Sequence, residues 1–273
     1  MSGQHDRGFA FRELHARPRA FVIANAWDAG SARLLEHAGF EAIATTSAGF
    51  AFSMGTQDGM AGREAILRNA AEIVAATALP VSADLENGFG TTPQEVAETM
   101  RLAGSVGLVG GSIEDSTHDS SAPLVPLERA AELVRAAAEA AHALPFPFVL
   151  TARAENFLVG RPDLADAIAR LQAYQEAGAD VLYAPGLTRE EDIRTLVRAV
   201  DRPVNVIMGL ASVSFSVSQL SELGVRRISV GSALARRAYG ALLDAAREIR
   251  ERGTFGFGKE APPHARFMEW FAR

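Results

Sequence analysis

The chain alternates between two hydrophobic periods. Short apolar runs fall at residues 21–24, 42–46, 81–83, 108–113, 148–152, 181–183, 204–207 and 228–230. Between them lie stretches rich in Ala, Leu, Glu and Arg, with apolar positions three and four apart, as at 30–37, 63–77, 93–102, 127–142, 163–176 and 233–250. The runs predict strands buried on both faces, and the longer stretches predict amphipathic helices. Gly39, Gly178 and Gly224 stand where helices should stop. Strand–helix alternation requires parallel pairing. Eight such units with no Pro/Gly/Ser linker predict one α/β domain over residues 1–273, a closed (β/α)8 TIM-type barrel. An open doubly wound sheet is the alternative, but it more often carries fewer strands.

Two segments stand outside the repeat. Residues 116–126 are polar and read as a lid or as a long surface connection. Residues 253–273 form a C-terminal arm bearing Phe267, Trp270 and Phe271; aromatics at that density pack on their own subunit or on a neighbour.

Composition narrows the function. With 48% hydrophobic residues among 273, the chain can bury a large core. A net charge of −6 argues against a nucleic-acid surface, and Arg226-Arg227 reads as a local basic pair. The absence of cysteine excludes disulfides, thiolate metal sites and cysteine nucleophiles. No stretch approaches the roughly 20 apolar residues of a membrane span. Residues 1–20 lack the apolar segment of a signal peptide, so a soluble cytoplasmic protein is expected.

Charged residues end several of the runs: Asp84 with Glu86, Glu114 with Asp115, and Arg153. A charge at the end of a buried strand costs free energy unless something compensates it. Several in one chain point to one shared site, at the face where barrels place their chemistry. Spacing of two puts Asp84 and Glu86 on one side of an extended chain. With Glu114 they make a hard-oxygen environment suited to Mg²⁺ or Mn²⁺ rather than Zn²⁺; capping of the next helix is the plainer role for a single acid. Arg153 pairs with Glu114, with a ligand carboxylate, or with each in turn. Thr46, Ser47 and Ala48 lie in a loop after the second run and can offer N–H groups to an anion. Asp58 falls in a turn-like context, where Asp is common. Asn205, an amide inside a strand, is either a satisfied core residue or a ligand donor. His118 reads as a solvated lid residue, Arg236 and Arg237 as surface. Residues 229–232 resemble a barrel phosphate loop.

Together these motifs resemble the isocitrate lyase and phosphoenolpyruvate mutase superfamily. The residues that carry the resemblance are Asn25 to Asp28, Thr46-Ser47, Gly55 to Asp58, Asp84 to Gly90, Ile113 to Asp115, Thr151 to Arg153, Gly178 to Asp180 and Gly224 to Gly231. The match runs from about Phe21 to Ala238. The resemblance implies a Mg²⁺-dependent barrel acting on 2-oxo acids or their enolates. It makes Asp84 a direct metal ligand and Glu86 and Glu114 water-mediated ones. It makes Asp58 the acid supporting the metal shell and the reacting group, and Thr46, Ser47, Ala48 and Arg153 the cradle of the substrate carboxylate. It also implies a homodimer or homotetramer in which the C-terminal helix is exchanged between subunits.

The departures are specific. The lyase branch carries an acid/base cysteine in its lid, whereas this chain reads Ser116-Thr117-His118-Asp119-Ser120. The mutase branch carries Lys and Asn there, and neither occurs between Ser116 and Pro126. Residues 183–186 lack the Glu of the lyases and the His of the mutases, which leaves Asn205, Glu155 and Asn156 to line the pocket. C–C cleavage of an oxaloacetate- or alkylmalate-type substrate, by a lyase or decarboxylase, is the favoured expectation. P–C bond chemistry, a non-catalytic 2-oxo acid-binding barrel, and a transferase similar in fold to the ketopantoate hydroxymethyltransferases are the alternatives.

Overall fold

The computed structural model describes residues 3–117, 119–209 and 213–272. Its elements run α1 (Gln4–Ala16), β1 (Phe21–Ala26), α2 (Ala29–His37), β2 (Ile43–Thr45), α3 (Ser47–Ser53), α4 (Arg63–Ala76), β3 (Val81–Asp84), α5 (Pro93–Ser105) and β4 (Gly110–Glu114). Then follow α6 (Leu127–His142), β5 (Val149–Arg153), α7 (Leu164–Glu176), β6 (Val181–Tyr183), α8 (Glu190–Ala199), β7 (Val204–Ile207), α9 (Val217–Glu222), β8 (Arg227–Ser229), α10 (Ala233–Arg252) and α11 (His264–Trp270). All eight strands are parallel and pair in chain order, β8 closing back onto β1. The expected (β/α)8 barrel is therefore the observed fold.

Closure fixes which residues meet. Strand side chains alternate between faces, so the outward set packs under the helices in one large core that includes Ile43, Leu85, Met100, Leu150 and Leu182. The lower interior holds a second cluster of Phe21, Ile23, Ala42, Val149 and Val181. Phe11 and Leu14 of α1 complete that cluster. Apolar spacing does not announce α1, since few of its residues are hydrophobic. Its docking rests on a few contacts: Gln4 Nε2 donates to the carbonyls of Gly104 and Leu108 at 2.8 and 2.9 Å, and a Cβ on Gly110 would meet the Phe11 ring at 2.7 Å. The eight strand–helix units and the stop at Gly224 imply α8 and α9, although no bounds were assigned to them, and α3 was not anticipated.

The lid candidate is a compact loop in which Ser116 and Leu124 form an antiparallel bridge and Thr117 N–H donates to the Pro123 carbonyl at 3.0 Å. His118 lies outside the described residues. The C-terminal arm packs partly on its own subunit: the Trp270 and His37 rings lie 5.7 Å apart, and Arg33 donates to the Phe271 carbonyl at 3.0 Å. Leu242, Leu243, Phe255 and Met268 nevertheless remain exposed. Among the described residues no helix is long and apolar enough to cross a membrane.

His15 sits in the barrel floor, with its Nδ1 2.8 Å from the Phe11 carbonyl and its ring edge-on to Phe11 and Phe21. Burial, then the Arg227 charge, pushes its pKa down to about 3. An unfolded His binds a proton near pH 6.5, so the folded state resists protonation. The stability this contributes is present above pH 6.5 and is lost as pH falls toward the folded value, by at most about 1.4 kcal/mol per pH unit. The melting temperature should therefore drop between pH 6.5 and 4 less steeply in His15→Phe than in the wild type; parallel curves would show that the floor histidine does not set acid lability.

Candidate active site

Local rules bring the charged residues to the barrel mouth. β3 ends at Asp84, whose N–H donates to Thr45 Oγ1 at 3.0 Å. The chain does not continue extended as spacing suggested. Glu86 has φ 49° and Phe89 φ 54°, both in the left-handed region that non-glycine residues adopt only at a cost. This turn, rather than strand alternation, brings Glu86 to the same cavity as Asp84, while Leu85 is fully buried in the core. Thr46 through Ala48 are likewise not a loop. Thr46 is the N-cap of α3, its hydroxyl accepting from Gly49 N–H at 3.2 Å, and Ser47 is the first residue of that helix.

Asp84, Glu86, Glu114, Arg153, Thr46, Ser47, Ala48, Asp58 and Asn205 all line one cavity of about 400 Å³ at the C-terminal mouth of the barrel. Ser47 ties the acids together: its hydroxyl lies 2.8 Å from Asp84 Oδ2 and 3.3 Å from Asp58 Oδ1, and its N–H donates to Asp84 at 3.3 Å. Arg153 is the centre of charge. Its Nε donates to Glu155 at 2.9 Å, and its Nη1 lies 3.2 Å from Asp84 and 3.1 Å from Glu114. The Arg153–Glu114 pair therefore exists, as one of three carboxylate contacts. The guanidinium also stacks over the Tyr183 ring, 5.2 Å from its centroid.

Five carboxylates thus face the cavity around one paired arginine, and the proton affinities of Asp58, Glu86, Glu114 and Glu155 record the crowding. Burial and then the charges of Asp84 and Asp58 push the Glu86 pKa up to about 7. Burial pushes Glu114 well above the ordinary carboxylate range and Glu155 upward, with Arg153 opposing both shifts. Asp58 is exposed at the rim, so solvent screens the Asp84 charge that, after partial desolvation, raises it. Glu86 Oε1 is buried without a hydrogen-bond partner. An orphaned oxygen among acids that resist ionisation is the arrangement a divalent cation would relieve. Among the described residues no group of three His, Asp or Glu side chains is spaced to grip an ion directly. The donor set thus fits a cation that keeps several waters, as Mg²⁺ does.

Other residues are placed differently from expectation. Asn205 is a satisfied interior residue as well as a cavity wall: its Nδ2 donates to Ser229 Oγ at 3.0 Å, and its Oδ1 accepts from Arg227 Nε at 2.9 Å. Glu155 lines the cavity, whereas Asn156 turns outward to Asp166 at 2.6 Å. Arg236 and Arg237 are exposed, as expected. Of the pair Arg226-Arg227, read only as a local basic pair, Arg227 is buried in the barrel interior. Reading the last run from residue 228 hid this; β8 starts one residue earlier, and Arg227, Ser229 and Gly231 then share the inward face.

The family model described as phosphoenolpyruvate phosphomutase matches residues 11–250. The chain belongs to this family. Its relatives include the 2-methylisocitrate lyase of Escherichia coli, 31% identical over 208 residues that cover 73% of this chain and 69% of the relative. The oxaloacetate decarboxylase of Chromohalobacter salexigens is 28% identical, covering 91% of this chain and 87% of its own. Among solved structures, a Burkholderia cenocepacia J2315 protein assigned provisionally as a lyase/mutase superposes with a TM-score of 0.97 at 57% identity, covering 99% of this chain and 97% of the other. A 2,3-dimethylmalate lyase of the phosphoenolpyruvate mutase/isocitrate lyase superfamily superposes with a TM-score of 0.86 at 28% identity, covering 99% and 95%. Membership makes the chain an enzyme of a superfamily of lyases.

Behind the cavity, the ends of β4 and β5 are tied to α7. Asp115 does this here: it accepts from Tyr174 Oη at 2.5 Å, Arg170 Nη1 at 3.0 Å and Glu155 N–H at 2.8 Å, with its side chain 2% exposed. Removing one partner of a buried pair strands the other charge. Asp115→Ala should lower the unfolding free energy by about 3 kcal/mol in urea titrations; a loss below about 1 kcal/mol would show this cluster to be dispensable.

Proposed function

We propose that the protein is a Mg²⁺-dependent enzyme that cleaves a C–C bond in a small 2-oxo acid or a related dicarboxylate through an enolate, on an oxaloacetate- or alkylmalate-type substrate. The observation that carries this reading is the single cavity in which Asp84, Glu86 and Glu114 crowd around Arg153 with one carboxylate oxygen unsatisfied. The named activities of the decarboxylase and lyase relatives support it. Mn²⁺ has the same hard-oxygen preference and could replace Mg²⁺.

Asp84 would be the direct ligand, with Glu86 and Glu114 acting through water. When bound, the cation supplies positive charge that stabilises the developing enolate oxygen. The protein's residues do the rest. Thr46, Ser47 and Ala48 at the start of α3 bind the substrate carboxylate, and Ser47 keeps Asp84 oriented through its 2.8 Å bond. Arg153 is held rigid by three carboxylates and stacked on Tyr183, so it presents a fixed cationic field to the substrate. As the C–C bond breaks, its electron pair passes to the carbonyl or carboxylate oxygen conjugated with it. Asp58, at the rim beside Ser47, is placed to exchange a proton with the reacting group. The exposed apolar residues of α10 and the C-terminal arm support a homodimer or homotetramer.

Incubation with Mg²⁺ and a panel of oxaloacetate, 2-alkylmalates, phosphonopyruvate and phosphoenolpyruvate should give turnover of a C–C substrate, and turnover of the phosphonates alone would overturn the assignment. Asp84→Ala should abolish metal-dependent turnover while the fold is retained by circular dichroism; full activity in that variant would remove Asp84 from the metal site.

A further inference from the structure

Three arginines are largely withdrawn from solvent, and two of them have acidic partners. Arg153 touches three carboxylates, and Arg170 pairs with Asp115 at 3.0 Å and Asp166 at 2.7 Å. Arg227 is only 5% exposed, and no carboxylate of the described residues lies within ion-pair distance of its guanidinium. Its Nε donates to Asn205 Oδ1 at 2.9 Å, and its Nη1 is buried with no partner. Burial pushes its pKa down to about 10, the sign of a cation short of compensating charge. Below it lies His15, which its own burial keeps neutral.

Arg227 lines the same cavity as Arg153. Strand register shows how. Glu114 pairs with Arg153, Arg153 with Tyr183, Tyr183 with Asn205, and Asn205 with Arg227, in one continuous row across β4 to β8. Strands tilt in a closed barrel, so a row perpendicular to them descends as it travels round. The row therefore runs as a polar stair from the acidic mouth to a guanidinium near the floor. An aspartate at position 205 would have closed the charge. An amide there instead orients the fork and leaves it open.

We propose that Arg227 is a specificity residue that receives a second, distal carboxylate of the substrate, whose first carboxylate lies near Arg153. This rests on reading the cavity as a site for a 2-oxo acid or related dicarboxylate and adds to it the residue that holds the distal carboxylate. A planar guanidinium fork matches a carboxylate in geometry and charge, and the ligand supplies the anion that the fold withholds. The chemistry also discriminates between reactions. Decarboxylation at that carboxylate would turn an anion held by a cation into neutral CO₂, which the pairing opposes. Cleavage of a 2-substituted malate instead removes the hydroxyl proton, breaks C2–C3, forms the C2 carbonyl and sends the electron pair toward the C4 carboxylate, where a guanidinium stabilises it. A proton then adds at C3. Arg227 thus favours cleavage that leaves the distal carboxylate intact.

Calorimetry on the intact protein with Mg²⁺ tests this with three probes: oxalate, malate, and 2-hydroxybutyrate, which carries a methyl group in place of malate's distal carboxylate. The wild type should bind malate at least tenfold more tightly than 2-hydroxybutyrate. Arg227→Met should bind the two within twofold of each other, with the affinities for oxalate and 2-hydroxybutyrate unchanged, and Arg227→Lys should fall between. A malate preference that persists in Arg227→Met, or is absent from a wild type that binds oxalate, would overturn the role of Arg227 and leave the site reading intact. Failure of oxalate to bind would overturn both. If the Met variant does not fold, Arg227→Lys decides alone: an undiminished malate preference there sinks the proposal.

Discussion

The structure depends on closure of the parallel sheet. Once β8 hydrogen-bonds to β1, no strand edge remains, and every inward side chain shares one narrow interior. In the lower half that interior is filled by apolar groups and the α1 plug. In the upper half it is filled by charge, because the strand ends carry Asp84, Glu114 and Arg153. Carboxylates so confined cannot all ionise without a counter-charge, and Arg153 supplies only part of it. Site chemistry follows from this deficit rather than from any one residue.

Neighbouring arginines show two solutions to the same problem. Arg170 is a structural cation, neutralised by Asp115 and Asp166 and capped by the Val125 carbonyl, and it joins α7 to the strand ends. Arg227 is left electrostatically open toward the cavity. Glu114 and Asp115, adjacent in the chain, divide in the same way. Glu114 faces the cavity beside Arg153, and Asp115 faces outward to Tyr174 and Arg170. A strand end, with its alternating faces, lets one of two consecutive acids line the cavity while the other ties the scaffold together.

The barrel was legible because eight apolar runs alternate with helical periodicity, and the site because acids at strand ends are costly without a purpose. That argument singled out Asp84, Glu86, Glu114 and Arg153, and the family resemblance added Ser47 and Asp58; all six line one cavity. What stayed hidden has physical reasons. The α1 helix docks through a few side chains, among them Gln4, Phe11 and Leu14, too few for a periodic signal. The start of α3 looked like a loop because small hydroxyl residues are common both in loops and at helix starts. Arg227 was passed over because the last run was read from residue 228, which left this position outside the strand. Asn156 was assigned to the wrong wall, since the β5–α7 connection is irregular and carries no alternation to read.

The left-handed backbone at Glu86 has a consequence for anyone who would make this protein sturdier. A glycine there adopts φ 49° at no steric penalty and removes an oxygen that the folded chain leaves unsatisfied. Stability-guided substitution would therefore consider glycine at this position early, and would remove an acid from the cavity in doing so. A relaxed backbone and an acidic cavity pull against each other at this one residue.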